Sequence, residues 1–230
     1  MENIQHYLWN FLRRAIRGKI IFMKMKSTLP ALLAILMLFS FDRHRNPPLH
    51  TPSPKPVAGQ KIQAAILLDV SNSMDGLIDQ AKAQLWNMVS TMGKVRCDGG
   101  APQIEIALYE YGRPGNGIRT GYIKQLSPFT KDLDKLSDLL FSLQTDGGDE
   151  YCGQVIFSSL NELAWDPSPS NYKAIFIAGN EDFLQGNLRY TRACNLAKSK
   201  GVIVNTIYCG ERLQGIREHW NISSECGGGS

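Results

Sequence analysis

Histidine is scarce in this 230-residue chain. Three of its four histidines, His6, His44 and His50, precede residue 61, which leaves His219 alone in the remainder. Ser-His-Asp and histidine–carboxylate catalysis therefore lack their base at any sensible spacing. The five cysteines, Cys97, Cys152, Cys194, Cys209 and Cys226, form no compact zinc signature. A long apolar run is missing too: residues 29–41 are greasy but short for a membrane span, and Pro30 and Ser40 interrupt them. Nor is there a basic folded part. Nine Lys/Arg against two acids lie before Lys61, leaving 16 basic and 19 acidic residues, a formal charge of about −3, over residues 61–230. The overall charge of +4 belongs to the leader. This argues against a nucleic-acid surface, which needs positive charge on the folded domain.

What is present divides into three. Residues 1–41 carry Arg13, Arg14, Arg17, Lys19, Lys24 and Lys26 ahead of the apolar run 29–41. Positive charge before a short apolar core is the pattern of an export signal. The basic section is long for one, and a start at Met23 or Met25 would leave an ordinary signal. No small-x-small cleavage site and no lipid-attachment cysteine come after the run, so an uncleaved anchor through 29–41 stays open beside cleavage. Residues 42–60, with Pro47, Pro48, Pro54 and Pro56, read as a linker. The compact domain is expected over 61–230, with its cysteines in an oxidising compartment and at least one disulfide.

In that domain strand-like and helix-like segments alternate. Strands are expected at 64–68, 104–111, 120–126, 173–178 and 201–208, and helices at 77–92, 130–140, 155–163, 191–200 and 215–220. Leu77, Ile78, Ala81, Leu85, Met88 and Val89 recur at helical spacing, Gly93 is expected to end that helix, and Thr130 to cap the next. Met88 and Met92 read as core packing and Trp165 as a hydrophobic seal. The economical fold is an α/β, Rossmann-like doubly wound sheet, mostly parallel, with one short antiparallel edge strand and helices on both faces. Function in such sheets sits beyond the carboxyl ends of the strands.

The run Ala64-Ala65-Ile66-Leu67-Leu68 ends on Asp69, and Ser71 and Ser73 come next at alternate positions. A carboxylate and two hydroxyls facing one point from a tight turn suit a hard cation. The same residues also read as a Ser/Asn turn that caps a helix. Asp149 and Glu150 read either as helix N-terminal charge or as outer support for a cation.

Asp69-Val70-Ser71-Asn72-Ser73, on a buried strand and before a helix, resembles the Asp-x-Ser-x-Ser signature of von Willebrand factor A-type domains. The order of elements from Lys61 to about Trp220 is similar to that fold. The resemblance implies a metal-ion-dependent adhesion site built from Asp69, Ser71 and Ser73, with Thr145 as the second-loop ligand. It implies Mg2+, with Ca2+ or Mn2+ possible, and a coordination position open for an acidic residue of a protein partner. The family's third loop opens on Thr-Asp-Gly; here Ala178-Gly179-Asn180 stands in its place, and Glu181 or Asp182 is left to supply the carboxylate. The segment from Phe176 to Glu181, with Gly147-Gly148-Asp149-Glu150-Tyr151-Cys152-Gly153, resembles a subgroup of exported bacterial A-type proteins. A bridge from Cys97 to Cys152 is the first expectation for the disulfide. The family sheet has a sixth strand, so the resemblance also implies a chain lacking its last strand, with 201–208 an exposed apolar edge. The function implied is a metal-dependent, exported protein-binding module, not an enzyme. A metal-dependent hydrolase and a degenerate structural domain are the alternatives.

Overall fold

The structure is a computed structural model and describes residues 61–94, 101–224, 226 and 228–229. The leader, the apolar run 29–41, the proline-rich linker and Cys97 lie outside the described residues. Among the described residues no helix is long and apolar enough to cross a membrane.

Five strands form one sheet: β1 (Lys61–Asp69), β2 (Gln103–Tyr111), β3 (Lys124–Thr130), β4 (Tyr172–Gly179) and β5 (Ile203–Tyr208). Their order is β3-β2-β1-β4-β5, with every neighbouring pair parallel except β2–β3. This is the expected mostly parallel α/β sheet with one antiparallel edge. β1 is central because it is apolar on both sides: residues 62–69 are all buried. Leu67, Ala107, Tyr109 and Ile177 project to one face, against α3 (Cys152–Glu162) and α4 (Tyr190–Lys200). By strand alternation Ile66, Leu68 and Leu108 project to the other, where α1 (Ile78–Lys94) and α2 (Leu133–Ser142) supply Leu85, Met88, Val89, Leu136 and Leu140 to the core. Burial of this apolar surface, at roughly 25 cal/mol per Å2, is what holds the layers together.

Several local expectations move by a few residues. α1 runs through Gly93 to Lys94, because a mid-helix glycine costs only about 1 kcal/mol against alanine. The third strand starts at Lys124, not at residue 120: two 3-10 turns, Pro114–Asn116 and Ile118–Thr120, precede it. Asp132, not Thr130, caps α2, its carboxylate accepting from the Lys135 amide at 3.0 Å. Gly201 belongs to the helix end rather than to β5, at φ 63°, where a side chain would be strained. A short α5 (Arg212–Arg217) and a 3-10 turn (Trp220–Ser224) come after β5. Met88, Met92 and Trp165 pack as read: both methionines are buried, and Trp165 meets Phe129 edge-on at 4.8 Å.

Two expectations are corrected. The disulfide joins Cys194 to Cys226, while Cys152 is buried and free and Cys209 is free. Cys152 faces inward from the first turn of α3, and its Sγ lies 3.8 Å from the Tyr111 hydroxyl, so it packs in the core instead of stapling a loop. β5 is an edge strand but not a bare one. The Trp220 carbonyl accepts from the Thr206 hydroxyl at 2.6 Å, the bridge ties Cys226 to α4, and Gly229 lies so close to the Val204 carbonyl that a side chain there would collide with it. The returning segment shields the strand.

Candidate functional site

The three central strands end together. Register places Asp69 beside Tyr111, and Leu68 beside both Glu110 and Ala178, so Gly112 succeeds β2 on one side of Asp69 and Gly179 closes β4 on the other. Both glycines are required by the carboxylate between them. A Cβ on Gly112 would stand 2.8 Å from Asp69 Oδ1, and one on Gly179 would stand 3.0 Å from Asp69 Oδ2 and 2.5 Å from the Tyr111 hydroxyl.

Asp69 is fully buried. Its Oδ1 accepts from the Ser71 amide at 2.8 Å, whereas its Oδ2 has no hydrogen-bond partner. Burial pushes this carboxyl up to about 6, against the lowering effect of Ser71 and of the nearby Asn180 amide, and the charge of Glu181 adds to the rise. An orphaned, buried carboxylate oxygen is costly unless something cationic meets it. No Lys, Arg or His among the described residues forms an ion pair with Asp69, Glu150 or Glu181.

Ser71 and Ser73 do converge, their hydroxyls 2.9 Å apart. Ser73 donates to Asn180 Oδ1 at 2.7 Å, and Asn180 Nδ2 returns a bond to the Ser73 carbonyl at 2.7 Å. This two-point clasp joins the loop after β1 to the loop after β4, and Asn180 carries it because an amide both donates and accepts. Thr145 is in the neighbouring loop, but its hydroxyl donates to Asp75, not to either serine. Glu181 stands within electrostatic reach of Asp69 and Glu150. Asp182 turns away: one oxygen meets His219 Nδ1 at 3.1 Å and accepts from the Leu184 amide at 2.9 Å. His219 thereby has a structural partner outside the site.

The 143–150 loop is pinned from three sides. The buried Lys82 ammonium donates to the Leu143 carbonyl. Arg113 bonds the Gln144 carbonyl at 2.6 Å and Asp146 at 3.4 Å while its Nε is held by the buried Glu110. The Asp146 amide donates to the Val70 carbonyl at 2.7 Å. The loop then delivers Glu150, which is buried, to the Ser71 side chain. Desolvation first, then the charge of Asp69, pushes the Glu150 carboxyl up to about 7. The sequence left Glu150 between helix N-terminal charge and outer support for a cation; the fold brings it to the rim. Its signal was the paired Gly147-Gly148: Gly147 passes the end of the Asn72 side chain, and a side chain at Gly148 would collide with the Gly112 carbonyl.

The donor set fits a hard divalent cation chemically: buried carboxylate, convergent hydroxyls and an orphaned oxygen. Among the described residues, no group of three His, Cys, Asp or Glu side chains is arranged to hold a metal by itself. Any cation here would rely on the hydroxyls.

No family model and no curated protein matches the chain. Solved structures do. An aerotolerance-related membrane protein from Bacteroides fragilis is 19% identical over 65% of this chain and 68% of its own, at a TM-score of 0.45. A proximal thread matrix protein of the mussel byssus with a zinc-occupied MIDAS motif is 11% identical over 65% of this chain and 36% of its own, at 0.46. The pilus adhesin SpaC from Lactobacillus rhamnosus GG is 13% identical over 64% of this chain and 24% of its own, at 0.46. The chain thus spans about a third or less of the latter two. On its own residues, with an Asp-x-Ser-x-Ser turn at the end of the central strand of a β3-β2-β1-β4-β5 sheet, the chain resembles a von Willebrand factor A-type domain.

Proposed function

We propose that the chain is an exported, metal-dependent protein-binding module. Asp69, Ser71 and Ser73 hold a divalent cation, Mg2+ first and Ca2+ or Mn2+ as substitutes, with Glu181 contributing charge from the third loop. Thr145, the second-loop candidate, stands at the rim with its hydroxyl donating to Asp75. The cation gives the protein a site for an acidic side chain of another protein, since a carboxylate is the natural hard ligand for such an ion.

One observation carries this reading: Asp69 Oδ2 is buried and unpartnered at the meeting of three strand ends. A purely structural aspartate at that place would be expected to satisfy both oxygens. Hydrolysis is the weaker reading, because among the described residues no histidine bonds either serine, and His219 is held by Asp182. Export accords with the basic leader and the apolar run 29–41, and with the disulfide Cys194–Cys226.

Calorimetric titration of the full chain with Mg2+ and Mn2+ tests the site. Binding that Asp69→Ala abolishes is the expected result. Equal affinity in wild type and variant would remove Asp69 from any metal site.

A further inference from the structure

Thr145 is the residue that the resemblance offers as second-loop ligand, yet the loop is built to present another. Arg113, Lys82 and the Asp146 amide fix residues 143–146 so that the Thr145 hydroxyl is spent on Asp75. Five residues later the same loop turns inward, with Gly147 and Gly148 threading past Asn72 and Gly112. It leaves the Glu150 side chain, only 6% exposed, within electrostatic reach of Asp69 and the Ser71 hydroxyl. Glu150 has no cationic partner among the described residues. Beside it, Asp69 Oδ1 is taken by the Ser71 amide, and Oδ2, which faces Gly179 on the β4 side, has no partner. Two buried carboxylates that repel one another, with an unmet oxygen between three loops, are stable as anions only around a positive charge.

We propose that Glu150, not Thr145, is the ligand that the second loop supplies, so that the cation is held by the Asp69 and Glu150 carboxylates together with the Ser71 and Ser73 hydroxyls. This rests on the metal reading above and changes its ligand set. The charge balance has a consequence for binding. Two directly bound carboxylates neutralise a divalent ion even before the nearby Glu181 charge is counted, whereas one bound carboxylate and neutral oxygens leave the inner shell a net positive charge. The ion at this site is therefore bound tightly by the chain itself, and attracts a partner's carboxylate less strongly than an ion held mainly by hydroxyls.

The test uses the full chain and Mn2+ as the probe, read by calorimetry and by the Mn2+-induced rise in unfolding temperature. Glu150→Gln should lower Mn2+ affinity about tenfold or more, as loss of a charged ligand does. Thr145→Val should change it less than about twofold. Without metal, Glu150→Gln should unfold at a higher temperature than wild type, since it removes a buried repelling charge. That readout also shows that the variant folds. Glu150→Asp, which keeps the charge on a shorter arm, should fall between wild type and Gln. Wild-type affinity in Glu150→Gln, or a loss confined to Thr145→Val, overturns the assignment of Glu150 while leaving the metal reading standing. A wild-type chain that binds no Mn2+ removes both.

Discussion

The rim of strand ends around Asp69 and the flank of β5 are built on opposite rules. At the β5 flank, Trp220 packs edge-on against Phe183 at 5.3 Å and against Tyr208 at 5.7 Å, and its indole N–H donates to the Glu181 carbonyl at 2.7 Å. The disulfide and the Thr206 bond finish the job, so apolar surface is covered and the polar groups named here are met. At the rim, a fully buried carboxylate oxygen is left without a partner, and burial, with neighbouring negative charge, raises the proton affinity of Asp69 and Glu150. The first region adds stability without offering chemistry. The second gives up stability by leaving a buried carboxylate oxygen unmet. The two touch at Glu181, whose carbonyl is fastened to the flank while its charge is felt by Asp69.

The comparison breaks most sharply at Trp220. Trp220→Ala removes a nearly fully buried ring and an anchor of the third loop. A loss of about 3–5 kcal/mol is expected, measured by urea unfolding. A loss below about 1 kcal/mol would mean that the flank is not what holds β5.

Next comes the covalent tie. Cys194 and Cys226 are 32 residues apart, and joining them removes conformations chiefly from the unfolded chain. Cys194→Ala with Cys226→Ala should cost about 3 kcal/mol. It should leave Mn2+ affinity unchanged, because neither cysteine approaches the rim. A shift in affinity would show that the two regions are coupled more tightly than the Glu181 contact implies.

The smallest effect sharpens the account of the rim. Burial raises Asp69 from 3.8 to about 6 and Glu150 from 4.5 to about 7. The metal-free folded state therefore holds protons that the unfolded state has released. Stability from these groups is present below about pH 4 and is lost as pH rises through 6 and 7. The metal-free protein should lose unfolding temperature between pH 5 and pH 7.5, and Asp69→Asn should flatten that slope. An equal slope in the variant would assign the dependence to other carboxyls.

The contrast also separates what was readable along the chain from what was not. Apolar runs and helical spacing located all five strands and the principal helices, with boundary errors where short turns intervene, as at 118–120. The Asp69-Ser71-Ser73 turn was legible because its residues are close in sequence and sit after a continuous buried run. The disulfide was misassigned because cysteine spacing carries no direction: Cys152 points into the core from α3, and only the packing shows it.

By itself, then, the sequence determined the alternating architecture, the central place of β1 and the turn that opens the candidate site. Each arises from local periodicity and from neighbours a few residues apart. The tertiary structure alone decided that Asn180 clasps Ser73, that Asp182 turns to His219, that Thr145 is bound to Asp75 and that Glu150 reaches Ser71. Those contacts join residues 37 to 107 positions apart, by loops whose direction is set by where Gly112, Gly147, Gly148 and Gly179 let the backbone pass. Which oxygen of a loop faces inward is a property of how loops pack against each other, and no pattern along one strand or one helix carries it.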